Sequence, residues 1–119
     1  MKGLQAKKAI PILIKEIKDP DLIVRRNVTG GSGDLGPQAK EAIPALIEAL
    51  QDGDKIVRAG AAGSLGMIGI ENNEGIPLLI NALQDRESIV RKYAAFALGR
   101  IVPESKQVVN ALRACDRIT

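Results

Sequence analysis

The chain has 119 residues and a formal net charge of +3 at pH 7, the size of one domain with a slight basic excess. Hydrophobic residues make up 45% and charged residues 26%, which excludes a disordered chain and indicates a soluble globular fold. Histidine is absent and Cys115 is the single cysteine. The sequence therefore excludes Ser-His-Asp and Cys-His catalytic sites, histidine-based or multi-cysteine zinc sites, and an internal disulfide.

No membrane or secretion signal is visible in the sequence. Residues 1–8 contain no continuous hydrophobic segment or cleavage site, and the longest apolar run is too short to span a bilayer. We therefore expect a cytoplasmic protein without membrane contact. The sequence offers no asymmetric cluster of reactive side chains, so we predict no catalytic residue, no cofactor and no metal.

The sequence repeats every 33 residues without an insertion. The segment GLQAKKAIP at Gly3 returns as GPQAKEAIP at Gly36. Such a period is typical of stacked helical hairpins, none of which can bury its apolar face alone. We expect a single domain, 1–119, with repeats at about 3–35, 36–68 and 69–101.

The first half of each repeat predicts an amphipathic helix, because apolar residues recur at positions i, i+3, i+4 and i+7. They are Ile10, Leu13, Ile14 and Ile17, then Ile43, Leu46, Ile47 and Leu50, then Ile76, Leu79, Ile80 and Leu83. Each helix also contains a proline, which lacks the N–H donor that a helix interior needs. We expect these helices to kink or restart at Pro11, Pro44 and Pro77.

The second half of each repeat predicts another helix. Asp52 can cap the helix of the middle repeat, and Asp54 adds negative charge that the helix dipole favours. The predicted core positions are Ile56, Val57, Ala61, Leu65 and Ile68, with their equivalents Ile89, Val90, Ala94, Leu98 and Ile101.

The second helix of the first repeat departs from this pattern, because Gly31 and Ser32 replace Ser64 and Leu65. A lost buried leucine and a helix-interior glycine both destabilise a helix. We predict that this helix frays after Thr29 or encloses a small void.

Gly31, Gly33 and Gly36 also satisfy the GxGxxG pattern of a dinucleotide-binding loop. Gly33 and Gly36 recur one period later as Gly66 and Gly69, so the repeat already explains them. The residues before the pattern predict a helix, whereas a dinucleotide site requires a strand. We interpret the match as accidental.

Two stretches resemble a known family. AIPALIEALQDGDKIVRAGAAGSLGMIG, 42–69, and IPLLINALQDRESIVRKYAAFALGRI, 76–101, resemble the HEAT-like repeats of phycobilisome lyases. The resemblance implies an all-α fold, a right-handed α-solenoid of the armadillo/HEAT-like superhelix type. It would contain about three hairpins and a C-terminal capping helix, with the second helices lining the concave face.

The same resemblance implies two functions. The first is a non-catalytic scaffold that binds another protein or peptide on the concave face. The alternative is a phycobilisome-lyase-like subunit for bilin attachment or detachment, or for phycobiliprotein binding. Nucleic-acid binding is a minor alternative, because residues 27–85 are acidic and interrupt the basic stripe that a phosphate backbone requires.

The two ends of the chain also differ from the repeat pattern. Residues 104–118 predict the capping helix, since Arg113 and Asp116 occupy positions that hold Ile47 and Leu50 in the middle repeat. In the first helix, Ile12 is an additional apolar residue where Ala45 lies one period later. Exposed apolar patches mark contacts, so we predict a weak homodimer through Leu4 and Ile12.

Six charged residues recur with the period, and we interpret them as a structural ladder between repeats. They are Asp19, Asp52 and Asp85 with Arg25, Arg58 and Arg91. A catalytic site needs one asymmetric constellation rather than three copies, and ion-pair networks commonly explain such charges.

The candidate binding residues lie at positions of the second helices that the repeat does not fix. They are Arg26, Asn27, Met67, Lys92, Tyr93, Phe96 and Arg100. Both aromatic residues of the chain are among them, and aromatic and arginine side chains dominate interface energetics. The alternative is that Tyr93 and Phe96 cover the end of the core beneath the capping helix.

Overall fold

The structure is a computed structural model that describes residues 4–69 and 75–101, with side chains from residue 8 onward. Its α-helices are α1 (Leu4–Ile17), α2 (Leu22–Gly31), α3 (Ile43–Ala49), α4 (Lys55–Ile68), α5 (Ile76–Ala82) and α6 (Ser88–Ile101), and a 3₁₀ segment (Ser32–Ala42) joins α2 to α3. Every element in these ranges is helical, so the predicted all-α solenoid is confirmed. The predicted capping helix 104–118 and the side chain of Leu4 lie outside the described residues.

The helices stack so that α4 contacts both α2 and α6. We call α2, α4 and α6 the second helices. Helix α1 packs against α2 and α3, and α5 packs against α6, which places the first helices beside the row of second helices. This arrangement brings residues that are about 33 positions apart in sequence next to one another.

The prolines act differently in the different first helices. Helices α3 and α5 begin one residue before Pro44 and Pro77. The N–H groups in the first turn of a helix have no acceptor within the helix, so a proline at this position costs no hydrogen bond. The restart predicted at Pro44 is observed, because α3 directly follows the 3₁₀ segment; residues 70–74 before α5 lie outside the described residues, so the restart at Pro77 stays a prediction. Helix α1, in contrast, continues through Pro11, so no restart occurs at that position, and the kink that was the other predicted outcome stays a prediction.

The hydrophobic core follows the predicted apolar positions. Leu46, Leu79, Val57, Leu65 and Leu98 are fully buried. Ile56 and Ile89 were predicted to lie in the core, and the structure corrects this prediction: Ile56 is half-buried and Ile89 is 36% exposed. Both isoleucines lie one residue before a valine, and only the valine points into the core.

The exposure of Ile12 agrees with its position in the stack. Ala45 of α3 is buried, and α3 packs against α1. Ile12 occupies the equivalent position of α1 and is 58% exposed. No described helix covers that side of α1.

The residue that caps the start of α4 differs from the predicted one. Asp54 is the N-cap residue, and its carboxylate accepts a hydrogen bond of 3.0 Å from the Val57 N–H. Asp52, which we expected to cap this helix, accepts instead from the Asp54 N–H at 2.9 Å and from Arg25.

Helix α2 ends at Gly31, two residues after Thr29, and the chain continues as the 3₁₀ segment. Helix α2 has 10 residues, whereas α4 and α6 have 14 each. The buried Ser32 fills the position of the missing leucine, and its hydroxyl donates to the Val28 carbonyl at 2.6 Å.

A side chain from α4 explains where α2 ends. In a continuous α-helix the Gly33 N–H would donate to the Thr29 carbonyl, four residues earlier. Ser64 Oγ lies between these two groups: it donates to the Thr29 carbonyl and accepts from the Gly33 N–H at 3.1 Å. A side chain inserted into the hydrogen-bond ladder is a known cause of helix distortion. Ser64 therefore satisfies both buried backbone groups at the end of α2.

The GxGxxG pattern falls on this junction. Helix α2, and no strand, precedes it. Gly36 has a positive φ of 59°, a backbone conformation that favours glycine, where the 3₁₀ segment changes direction. The interpretation of the match as accidental agrees with this local structure.

Candidate functional site

A groove of about 320 Å³ crosses the second helices. Its lining comes from all three of them, with Arg26 and Gly30 of α2 on one side and Ile89, Tyr93 and Phe96 of α6 on the other. Residues of α4 lie between them. We call this feature the second-helix groove.

The floor of the groove is built from small residues. A Cβ atom at Gly60 would lie 2.9 Å from Thr29 Oγ1 and 3.0 Å from the Gly30 nitrogen, so α2 and α4 touch through their backbones. A Cβ atom at Gly63 would lie 3.0 Å from Tyr93 Cδ1, so the tyrosine ring packs directly over this glycine. A larger side chain at Gly60 or Gly63 would collide with these neighbours.

The walls of the groove hold most of the large hydrophobic side chains that are exposed in the described part of the chain. Four large hydrophobic side chains in its lining are exposed: Met67 at 45%, Phe96 at 44%, Tyr93 at 39% and Ile89 at 36%. In the described part of the chain, the other exposed large hydrophobic side chains are Ile12 and Ile23. Concentration of apolar surface in one concavity is typical of a contact site.

Two large hydrophobic residues of the lining, Ile56 and Ile89, were not among the candidate binding residues. In α4, Ile56 is followed by Gly60 four residues later and by Gly63 after three more. In α6, Ile89 is followed by Tyr93 and Phe96 at the same spacing. Positions related by four and three residues lie on one helix face. This spacing was the sequence signal that could have assigned both isoleucines to the groove.

The candidate binding residues are only partly brought together. Met67, Tyr93, Phe96 and Arg26 line the groove. Arg100 lies beside it, with its guanidinium carbon 5.7 Å from the centre of the Phe96 ring and its Nε donating to the Gly66 carbonyl at 3.2 Å. Lys92 and Asn27 are exposed residues of α6 and α2 outside the lining.

Arg26 is already paired at the edge of the groove. Its Nε and Nη2 atoms donate to the two carboxylate oxygens of Asp54 at 3.0 and 2.7 Å. The hydrogen bond from Arg26 lowers the pKa of Asp54 to about 2, and the Val57 N–H contributes to the same shift. This bidentate pair links α2 to the start of α4 and leaves Arg26 less available to a ligand.

The sequence model for HEAT repeats matches residues 10–99 and, in a second overlapping match, 43–116. The chain belongs to the HEAT-repeat family. No individual curated protein matches it. The phycobilisome-lyase type is a finer assignment than the match supports and stays a prediction.

In this HEAT-repeat protein, the arginines predicted for the ladder connect successive hairpins. Arg25 Nε donates to Asp52 at 3.0 Å, and Arg58 Nε donates to Asp85 at 2.9 Å. Burial raises the pKa of Asp85, but the hydrogen bond from Arg58 and one from the Glu87 N–H outweigh it, so the pKa lies below its usual value. These pairs join one repeat to the next outside the groove lining.

Each ladder arginine also binds the turn of its own repeat through Nη1. Arg25, Arg58 and Arg91 donate to the carbonyls of Asp19, Asp52 and Asp85 at 2.9, 2.9 and 2.7 Å. Arg91 differs in one respect: its Nε is buried and has no hydrogen-bond partner among the described residues. Arg25 and Arg58 each pair with an aspartate that follows 27 residues later in the sequence. The residue 27 positions after Arg91 is Ile118.

No group of three or more Cys, Asp or Glu side chains in 4–69 and 75–101 is arranged to hold a metal ion. Within the same ranges, no helix has the length and apolar character needed to cross a membrane.

Proposed function

We propose that this HEAT-repeat protein is a non-catalytic interaction module that binds a segment of a partner protein in the second-helix groove, on the concave face of the solenoid. The observation that carries the proposal is the clustering of Met67, Ile89, Tyr93 and Phe96, all partly exposed, around one concavity. Each Å² of apolar surface that a partner removes from water favours binding by about 25 cal/mol of free energy. A bound segment would therefore be held chiefly by these four side chains.

The glycine floor supports the same proposal. Gly30 and Gly60 leave the middle of the groove without side chains, so a partner can approach the backbone of α2 and α4 closely. The aromatic wall of α6 then contacts the partner from one side. A rigid floor beside exposed aromatic residues is the arrangement in which truncation of a few side chains costs about 2 kcal/mol or more of binding energy.

Filling the groove tests this proposal without removing any existing contact. Gly30 lies in α2, and a Cβ atom there would meet no atom within 4 Å. Gly30→Gln should therefore fold normally and place a side chain in the groove. Gly31→Gln is the matched control, because Gly31 is equally open and exposed but does not line the groove.

The probe is a displayed library of random peptides selected on the wild-type protein. We expect selected peptides to bind Gly31→Gln as they bind wild type and to lose about tenfold in affinity for Gly30→Gln, equivalent to about 1.4 kcal/mol. Fluorescence polarisation measures the affinities, and circular dichroism shows that both variants fold. Failure to select any peptide, or equal affinity for the two variants, contradicts the groove as the binding site.

The alternative that the resemblance implies is a phycobilisome-lyase-like subunit. A shift in the visible absorbance of a bilin when the protein is added, lost in Gly30→Gln, would favour that alternative over a peptide site. A salt-sensitive gel shift would likewise favour nucleic-acid binding.

A further inference from the structure

The guanidinium group of Arg100 is held in one place beside the groove. Its Nε donates to the Gly66 carbonyl of the neighbouring helix α4 at 3.2 Å, and its guanidinium carbon lies 5.7 Å from the centre of the Phe96 ring. A cation within about 6 Å of a ring centre is attracted to the ring face. These two contacts fix the group next to the exposed apolar wall.

Arg100 differs from three other arginines of the second helices in what it binds. Arg25, Arg26 and Arg58 each form an ion pair with an aspartate. Among the described residues, Arg100 pairs with no carboxylate, and Nε is the atom that donates its hydrogen bond. Within 4–69 and 75–101, neither terminal nitrogen atom of its guanidinium group has a hydrogen-bond partner, and together these atoms form a charged fork, the geometry that matches a carboxylate.

The residues at one equivalent position of the three repeats differ in charge. Asp34, Met67 and Arg100 are 33 residues apart, and all three are exposed. Asp34 repels a carboxylate at one end of this row, while Arg100 attracts it at the other. A partner with an acidic group is therefore favoured in one direction, with its acidic group at α6.

We propose that the partner segment presents a carboxylate to Arg100, next to an apolar side chain that packs against Phe96 and Met67. This inference rests on the proposed function of the second-helix groove and specifies the chemistry of its ligand. The carboxylate is an aspartate, a glutamate or the C-terminus of the partner chain. The apolar side chain removes Phe96 from water, which strengthens the neighbouring charged hydrogen bonds because water is excluded from them.

The test compares peptides selected from the same displayed random library on two charge-reversal variants. Arg100→Glu reverses the charge at the proposed site. Lys92→Glu makes the same change of charge on the same helix, at an exposed residue outside the groove lining. Arg100→Gln is a third variant that removes the charge without reversing it, in case the glutamate disturbs the end of α6.

We expect peptides selected on wild type and on Lys92→Glu to combine an acidic residue or a free C-terminus with an adjacent large apolar residue. Peptides selected on Arg100→Glu should instead carry lysine or arginine at that position. Wild-type peptides should bind Arg100→Gln about tenfold more weakly, and exchange of their acidic residue for the amide should remove this difference.

The outcomes distinguish the two proposals. Peptides that bind wild type, are blocked by Gly30→Gln and show no acidic preference would overturn the inference about Arg100 and leave the groove intact. If Arg100→Glu selects the same peptides as wild type, the inference about Arg100 is likewise overturned and the groove remains intact. Peptides that Gly30→Gln does not block would overturn the groove itself, and the inference about Arg100 with it.

Discussion

The spacing of α4 and α6 depends on Gly66, and Gly66→Ala should destabilise the protein. A Cβ atom at Gly66 would lie 2.7 Å from Ala97 Cα, 3.0 Å from Ala97 Cβ and 3.3 Å from Phe96 Cε2. Carbon atoms pack best at about 3.5–4.0 Å, so α6 would have to move away from α4 by roughly 1 Å. The nearest atom is backbone, which a change of rotamer cannot relieve.

The magnitude follows from two opposing effects. Alanine favours the helix over glycine by about 1 kcal/mol. Overpacking a buried contact costs about 1–3 kcal/mol and occasionally more. Since the clash involves the backbone of α6, we expect the upper part of that range and a net loss of about 1–2 kcal/mol. The melting temperature should fall by roughly 3–6 °C for each kcal/mol, between the values typical of smaller and of larger domains.

Gly99→Ala is the matched control, because Gly99 occupies the same position one repeat later. No described atom lies within 4 Å of a Cβ atom there. We expect Gly99→Ala to keep or raise the melting temperature measured by circular dichroism, with urea denaturation giving the free energy of unfolding. If Gly66→Ala proves as stable as wild type, or if both variants lose stability equally, the backbone contact does not set the helix spacing.

Four further predictions concern single sites. Gly31→Ala should raise the free energy of unfolding by about 0.5–1 kcal/mol in urea denaturation, because Gly31 has helical dihedral angles and open space; a loss would contradict this. Ser64→Ala should lower it by about 1–3 kcal/mol, since two buried backbone groups lose their partner; no change would mean that α2 closes its own hydrogen bond. Asp54→Asn keeps the cap but loses the charge paired with Arg26. Because the pKa of Asp54 is lowered from 3.8 to about 2, the stability difference between wild type and this variant should be complete above about pH 4 and vanish as the pH falls through about 2; a constant difference in acid denaturation would refute the pairing. Ile12→Lys should convert a weak dimer to monomer in sedimentation, and a wild type that stays monomeric at high concentration would dispose of the dimer.

The 33-residue period predicted the fold because each repeat meets the same physical requirement. Leu46 and Leu79 are buried at the same position of successive hairpins, and selection of an apolar residue at every such position creates the pattern. The pattern does not distinguish between two adjacent apolar residues. Ile56 and Val57 both fit a buried helix face, and only the tertiary stacking shows that Val57 faces the core and Ile56 faces the groove.

The end of α2 could be predicted only in part. Gly31 and Ser32 indicated a weakened helix near Thr29, because glycine and serine are poor helix formers. The hydrogen bonds that determine the end come from Ser64, 31 and 35 residues away in sequence from the groups it binds. Local propensity contains no information about such a partner. The choice of Asp54 over Asp52 as helix cap likewise depends on the path of a three-residue turn.

The residues that build the solenoid and those proposed to bind a partner lie on different faces of the same helices. In α4 and α6, Val57 and Val90 repeat because both face the core, whereas Gly60 and Tyr93 occupy one equivalent position of the groove face and differ. Differences between repeats on the groove face therefore carry the asymmetry that recognition of a single partner needs. The same surface also contains the close backbone contacts of Gly60, so exchange of its glycines changes both the groove and the packing of the helices. Gly30, which lines the groove and has open space above it, is the position where the two effects separate.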